Sequence, residues 1–125
     1  MDNSSLPTIL IVDDSTTNLV LLEAILQEEG YKTDTAFNAK EAFAIIARNK
    51  PDLILLDLLM PQVSGFDILE KLKANLSTSG IPVAVVSAVG TQENVEMCKS
   101  LGAVDFFTKP IDIPIFLTKL KEHLV

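Results

Sequence analysis

Short runs of β-branched and leucine-rich residues alternate along this chain with longer stretches whose apolar positions recur at helical spacing. That alternation is the mark of a parallel sheet covered by helices on both faces, because a strand buried on two sides reads as a near-continuous apolar run. Five such units can be drawn. The strands predicted are Thr8–Val12, Lys32–Ala36, Leu53–Leu56, Val83–Ser87 and Asp105–Thr108. The second is expected to be partly exposed and the other four buried.

Between the strands lie helical patterns. The first is predicted from Thr16 to Glu29, with Leu19, Leu22, Ile25 and Leu26 on one face and Gly30 as its stop. The second begins at Asn38, where Glu41 stands three residues on as in a capping box, and turns Ala42, Ile45 and Ile46 inward before Pro51 rules out further helix. The third is predicted over Ser64–Ala74, the fourth over Thr91–Leu101 with Gly102 behind it, and the fifth over Asp112–Leu124. Asp112 suits an N-cap, and Pro114 falls in the first turn, where its missing N–H costs little. No linker, repeat or low-complexity stretch interrupts the pattern, so one domain over residues 1–125 is expected, with 1–7 as a flexible lead.

Composition agrees with a packed domain: 48% of the 125 residues are hydrophobic and 22% charged, too apolar a mixture for a disordered chain. The net charge of −7 repels phosphate backbones and anionic lipid surfaces, and no cluster of Lys and Arg overrides it, which argues against direct nucleic-acid binding. No apolar run reaches the ~18 residues a membrane span needs, because charges such as Asp13 and Asp57 interrupt each one. Cys98 is the sole cysteine, so no intrachain disulfide can form, and Met1–Pro7 carries no basic, apolar export signal. A reducing cytoplasm is the expected compartment.

Open parallel sheets bind ligands beyond the carboxyl ends of their strands, where the strand order reverses. The polar residues predicted there are few: Asp13 and Asp14, Asp57, Ser87, and Lys109 followed by Pro110. In a sheet of order 2-1-3-4-5, the first and third strands are neighbours, and three carboxylates come together. Like charges that close either raise their pKa values or recruit a cation, and an oxygen-rich site with few protein ligands suits Mg2+, with Mn2+ as a substitute. Lys109 would add a fixed positive charge from the opposite side, and Ser87 a hydroxyl able to donate to an oxygen held between them. Such a site fits a phosphoryl group, whose transfer depends mainly on positioning and charge stabilisation.

With those residues in place, the chain resembles the receiver domain of bacterial-type response regulators over essentially all of its length. The segments that carry the resemblance are ILIVDDS from Ile9 to Ser15, PDLILLD from Pro51 to Asp57, Met60-Pro61 with Gly65 following, PVAVVSA from Pro82 to Ala88, and GAVDFFTKP from Gly102 to Pro110. The fold it implies is α/β, a doubly wound (βα)5 flavodoxin-like domain with a parallel five-stranded sheet in order 2-1-3-4-5. Asp57 resembles the phosphoacceptor, Asp14 the direct Mg2+ ligand and Asp13 the ligand acting through water, and the Leu59 backbone carbonyl would complete the protein's share. Ser87 resembles the switch hydroxyl, Lys109 its salt-bridging partner, Phe106 the switch aromatic and Ala88 the small residue beside the phosphoryl group.

The resemblance further implies a phosphohistidine donor on a sensor histidine kinase or histidine phosphotransfer protein. It also implies a switching face made by the fourth helix, fifth strand and fifth helix, which would meet a downstream partner, a linked output domain or, after phosphorylation, a second copy. Two departures stand out. Phe106 replaces the tyrosine of many relatives and so loses a hydroxyl, and the tail after Pro110 lacks the arginine-rich fifth helix of the winged-helix transcription-factor subfamily.

Each residue also has a plainer reading. Asp13 and Asp14 could cap the first helix, Ser87 could be a turn residue and Lys109 a solvated lysine, but their joint placement at strand ends favours one site. Cys98 is expected to pack on the sheet or lie half exposed, His123 to be exposed, and Phe37, Phe43, Phe66, Phe107 and Phe116 to serve packing. A flavin or nucleotide cradle would need glycine, serine and threonine N–H groups after the first strand, where Asp13-Asp14 would repel phosphate. A hydrolytic aspartyl-phosphate phosphatase would need an acid at position 59, which is leucine, so slow self-hydrolysis of the aspartyl-phosphate is all that is expected. A receiver reduced to docking would not need the full set of Asp13, Asp14, Asp57, Ser87 and Lys109.

Overall fold

The computed structural model describes residues 6–60 and 64–124. Strand β1 (Thr8–Val12) is followed by α1 (Thr16–Glu28), β2 (Lys32–Ala36), α2 (Ala39–Arg48), β3 (Leu53–Leu56), α3 (Gly65–Ala74), β4 (Val83–Ser87), α4 (Gln92–Ser100), β5 (Asp105–Thr108) and α5 (Ile113–Leu124). All five strands run parallel, in the order β2-β1-β3-β4-β5. Most of the proposed flexible lead, and Pro61, lie outside the described residues.

Alternation along each central strand feeds two cores. Leu10, Val12, Ile54, Leu56, Val83 and Val85 face one side and pack with Ala42, Ile46, Ile68, Leu69, Leu72 and Cys98 from α2, α3 and α4. Ile9, Ile11, Leu53, Leu55, Ala84 and Val86 face the other and meet Leu19, Leu22, Leu26, Phe116 and Leu120 from α1 and α5. Removing both faces of these strands from water is the main favourable term of such a fold. Phe107 meets Phe116 edge to face, ring centroids 4.9 Å apart, where β5 lies against α5.

Helix starts follow their caps. Ser15, Asn38, Ser64 and Thr91 each place a side-chain oxygen to accept the N–H three residues on, so the expected third and fourth helices begin one residue later than drawn, after their capping residues. Asp112 does the same for the Ile115 N–H at 3.2 Å. Glu41 reaches back 3.0 Å to the Phe37 N–H, one residue beyond the capping-box target at Asn38. Gly30 and Gly102 end α1 and α4 with φ of 94° and 105°, a left-handed conformation that other residues adopt only under strain.

The chain end of the sheet opposite the strands' carboxyl termini is tied by Lys73. Its ammonium donates to the Ile81 carbonyl at 2.7 Å and the Ser79 carbonyl at 3.1 Å, and its stem lies under Gly102. Burial lowers its pKa.

Three expectations need correction. β5 is not a buried strand: Asp105 and Phe106 are half-buried and Thr108 exposed, since it is the sheet edge opposite β2 and only Phe107 is covered. His123 is not an exposed tail residue, because its Nε2 lies 3.1 Å from Asp105 Oδ2 and ties the last turn of α5 to the start of β5. Ile45 is only partly buried, the inward face of α2 being carried by Ala42 and Ile46.

Candidate functional site

The acids predicted at the strand ends are delivered to one rim by backbone pairing that runs a residue past each strand. The Asp13 N–H donates to the Ala36 carbonyl at 3.0 Å, and the Asp57 N–H to the Val12 carbonyl at 2.9 Å, so the end of β2 fixes the first and the end of β1 the second. Asp13, Asp14 and Asp57 consequently place carboxylate oxygens within 4.8 Å of one another. Asp13 and Asp57 are buried, at 2% and 6% exposure, whereas Asp14 faces solvent.

Asp13 is held on every side. Its Oδ1 accepts the Ser15 N–H at 2.9 Å, and its Oδ2 accepts from Asn18 Nδ2 at 3.3 Å and from Lys109 Nζ at 3.0 Å. Asn18 was not singled out from sequence. The signal available was an amide in the first turn of a helix that opens directly after an acidic pair.

Asp57 is less satisfied. Lys109 Nζ stands 3.8 Å from its Oδ1, and the Leu59 N–H approaches the same oxygen at 3.4 Å. Burial first, then the Asp13 charge, push its pKa from 3.8 up to about 6, against the opposing pull of Lys109 and the Leu59 N–H; Asp14 adds a smaller upward push. A buried carboxylate beside two others gains most from a cation it can share, and the all-oxygen donor set fits a hard divalent ion. Asp13, Asp14 and Asp57 could hold it.

Gly65 shapes the loop beneath the phosphoacceptor candidate. Its N–H donates to the Leu58 carbonyl at 3.0 Å, and a Cβ there would stand 2.7 Å from Leu58 Cα and overlap the Asp57 carbonyl oxygen. Only glycine lets α3 begin this close to the strand end. The neighbouring Leu59 is exposed.

On the other flank, Ser87 ends β4 fully buried, and its hydroxyl accepts the Val89 N–H at 3.1 Å. Lys109 is aligned by its N–H donating to the Ser87 carbonyl at 2.9 Å, which extends the β4–β5 ladder, and the Lys109–Pro110 peptide bond is cis. Ala88 is exposed at the rim, and Phe106 packs part-buried against the core on the α4 side. The sequence-predicted set thus falls at one end of the sheet, apart from Phe106, which sits at mid-strand in β5.

A sequence profile described as the response regulator receiver domain matches residues 9–121. The chain belongs to that family. This receiver domain is 42% identical over 115 residues to the response regulator PleD of Caulobacter vibrioides, an alignment covering 91% of the chain but 25% of that protein. It is 36% identical over 116 residues to sporulation initiation phosphotransferase F of Bacillus subtilis, covering 93% of the chain and 92% of its relative. In three dimensions the receiver domain is similar to the chemotaxis protein CheY4 of Vibrio cholerae, with a TM-score of 0.90 at 26% identity, over 96% of this chain and 100% of that one. The doubly wound fold and two-component family are therefore as the sequence motifs implied. The chain spans about a quarter of PleD. No described helix is long and apolar enough to cross a membrane.

Proposed function

We propose that this receiver domain accepts a phosphoryl group on Asp57 from a phosphohistidine of a histidine kinase or phosphotransfer protein, in a Mg2+-dependent reaction. The observation that carries the reading is the grouping of Asp13, Asp14 and Asp57 within 4.8 Å beside the Lys109 ammonium. A carboxylate oxygen of Asp57 attacks phosphorus, the P–N bond breaks and its electron pair leaves with the imidazole. Asp14, Asp57 and the Leu59 carbonyl would hold the ion directly and Asp13 through water. Bound there, Mg2+ supplies charge neutralisation at the phosphoryl oxygens.

The remaining roles belong to the chain. Lys109 offsets negative charge on the flank away from Asp14, Ser87 donates its hydroxyl to a phosphoryl oxygen once it turns from Val89, and Ala88 leaves room beside the group. Phe106 moves with Ser87 and alters the face of α4, β5 and α5, which controls a partner, an output domain or a second copy. The domain is a switch with slow self-dephosphorylation, not a turnover enzyme. The likeness to a protein named a phosphotransferase over nearly its whole length supports the phosphoryl chemistry.

Incubation with acetyl phosphate and Mg2+, followed by intact-mass measurement, should show one added phosphoryl group. That gain should vanish without Mg2+ and in Asp57→Asn. An adduct that survives Asp57→Asn would refute the assignment.

A further inference from the structure

The loop between β4 and α4 is fastened at three points that the phosphoacceptor chemistry does not by itself require. The buried Ser87 hydroxyl accepts the Val89 N–H at 3.1 Å. The carbonyl of the same Val89 accepts from the Asn94 side-chain amide at 3.1 Å, and Asn94 is itself fixed by its N–H donating to the helix cap Thr91 at 3.2 Å. Gly90 rests on Thr108: a Cβ at Gly90 would overlap the threonine hydroxyl and stand 3.0 Å from its methyl group. Thr108 is the β5 partner of Ser87 and the residue before Lys109.

Val89 is therefore gripped on both sides of its backbone, by Ser87 at its N–H and by Asn94 at its carbonyl. On the reading that Ser87 turns its hydroxyl toward an oxygen on Asp57, that rotation carries Oγ away from the Val89 N–H it accepts from. While Asn94 holds Val89 in place, that exchange opposes an intact local network; with the latch gone, Val89 can withdraw and find water. A ligand shifts a two-state element only by its differential affinity for the two states, so a contact made in the resting state alone subtracts from the apparent affinity for the ligand.

We propose that Asn94 is a positioning residue that latches the β4–α4 loop and holds Ser87 in its resting orientation, with Gly90 on Thr108 as the seat of the latch. Asn94 touches neither the acids nor a phosphoryl oxygen; it acts through Val89 and Ser87. The inference rests on the reading of Asp57 as phosphoacceptor and of Ser87 as the group that turns. It adds a residue whose loss makes the switch easier, not harder, to throw.

The test is a double-mutant cycle with trifluoroberyllate as a phosphoryl stand-in. Its apparent affinity in the presence of Mg2+ is measured for wild type, Asn94→Ala, Ser87→Ala and the double variant, following the Val89 and Thr108 amide resonances. Asn94→Ala should bind roughly three- to tenfold more tightly, the worth of one ordinary hydrogen bond, and the gain should disappear in the Ser87→Ala background. Gly90→Ala, which unseats the loop from Thr108, should move affinity in the same direction and serves if Asn94→Ala folds poorly. Unchanged or weaker binding in both variants, or a gain that persists without the Ser87 hydroxyl, would overturn the latch alone. Failure of the wild-type protein to take up trifluoroberyllate would overturn the phosphoacceptor reading and the latch with it.

Discussion

The Lys109 ammonium is bound to Asp13, at 3.0 Å, and stands farther from Asp57, at 3.8 Å. The expectation of a lysine opposing the acids from across the site is thus only half of its role. It is also the counter-ion of the buried Asp13, which leaves Asp57 the less compensated of the two. Burial first, and then the Asp13 charge, raise the Asp57 pKa, and Lys109 at 3.8 Å opposes them only in part.

Asp13→Asn should therefore lower the Asp57 pKa from about 6, because it removes an upward push and frees Lys109 to move toward Asp57. Carboxyl carbon shifts followed by NMR across pH in metal-free protein would measure it. An unchanged Asp57 titration would contradict the charge assignment.

Ionised Asp57 should burden the metal-free fold at neutral pH. An acid whose folded pKa is raised binds its proton more tightly when folded, so its stabilising share is fully present below about 3.8 and is lost as pH rises through about 6. Asp57→Asn should then be more stable than wild type by about 1–3 kcal/mol at pH 7, with the difference shrinking toward pH 4. Thermal melts at several pH values read this directly; a constant difference at all pH values would point away from charge.

Mg2+ should bind at neutral pH and raise the melting temperature, since it neutralises the same burden. Asp14→Ala should abolish the binding heat in calorimetry, whereas the fold, which leaves Asp14 exposed, should melt close to wild type without metal. Undiminished heat would remove Asp14 from the ligand set.

Gly65→Ala should cost roughly 2–4 kcal/mol, because the new methyl group meets backbone and not a side chain that can step aside. Denaturant unfolding would show a lower midpoint at unchanged slope. A loss under about 0.5 kcal/mol would mean the loop before α3 gives way at no cost.

All five strands begin and end where the pattern put them: β1, β3 and β4 announce themselves as buried apolar runs, whereas β2 and β5 showed as short stretches with threonine or aromatic residues between helical patterns. Helix starts were legible to within a residue through Ser15, Asn38, Ser64 and Thr91, whose caps are local too. What sequence hid was which face of an edge stays open and which polar side chains find each other. The fifth strand was expected to be buried, yet nothing local says that β5 is an edge with one face half open. The same holds for His123 on Asp105, Asn18 on Asp13, and Asn94 on Val89, each a pairing of polar side chain and target that periodicity does not encode.

The grip of Lys73 on Ser79 and Ile81, with its stem beneath Gly102, joins three connections that are separate along the chain. The last turn of α3, the turn that leads into β4 and the glycine that ends α4 all rest on one side chain, so a single long lysine serves as a common tie between two neighbouring helices and the start of a central strand.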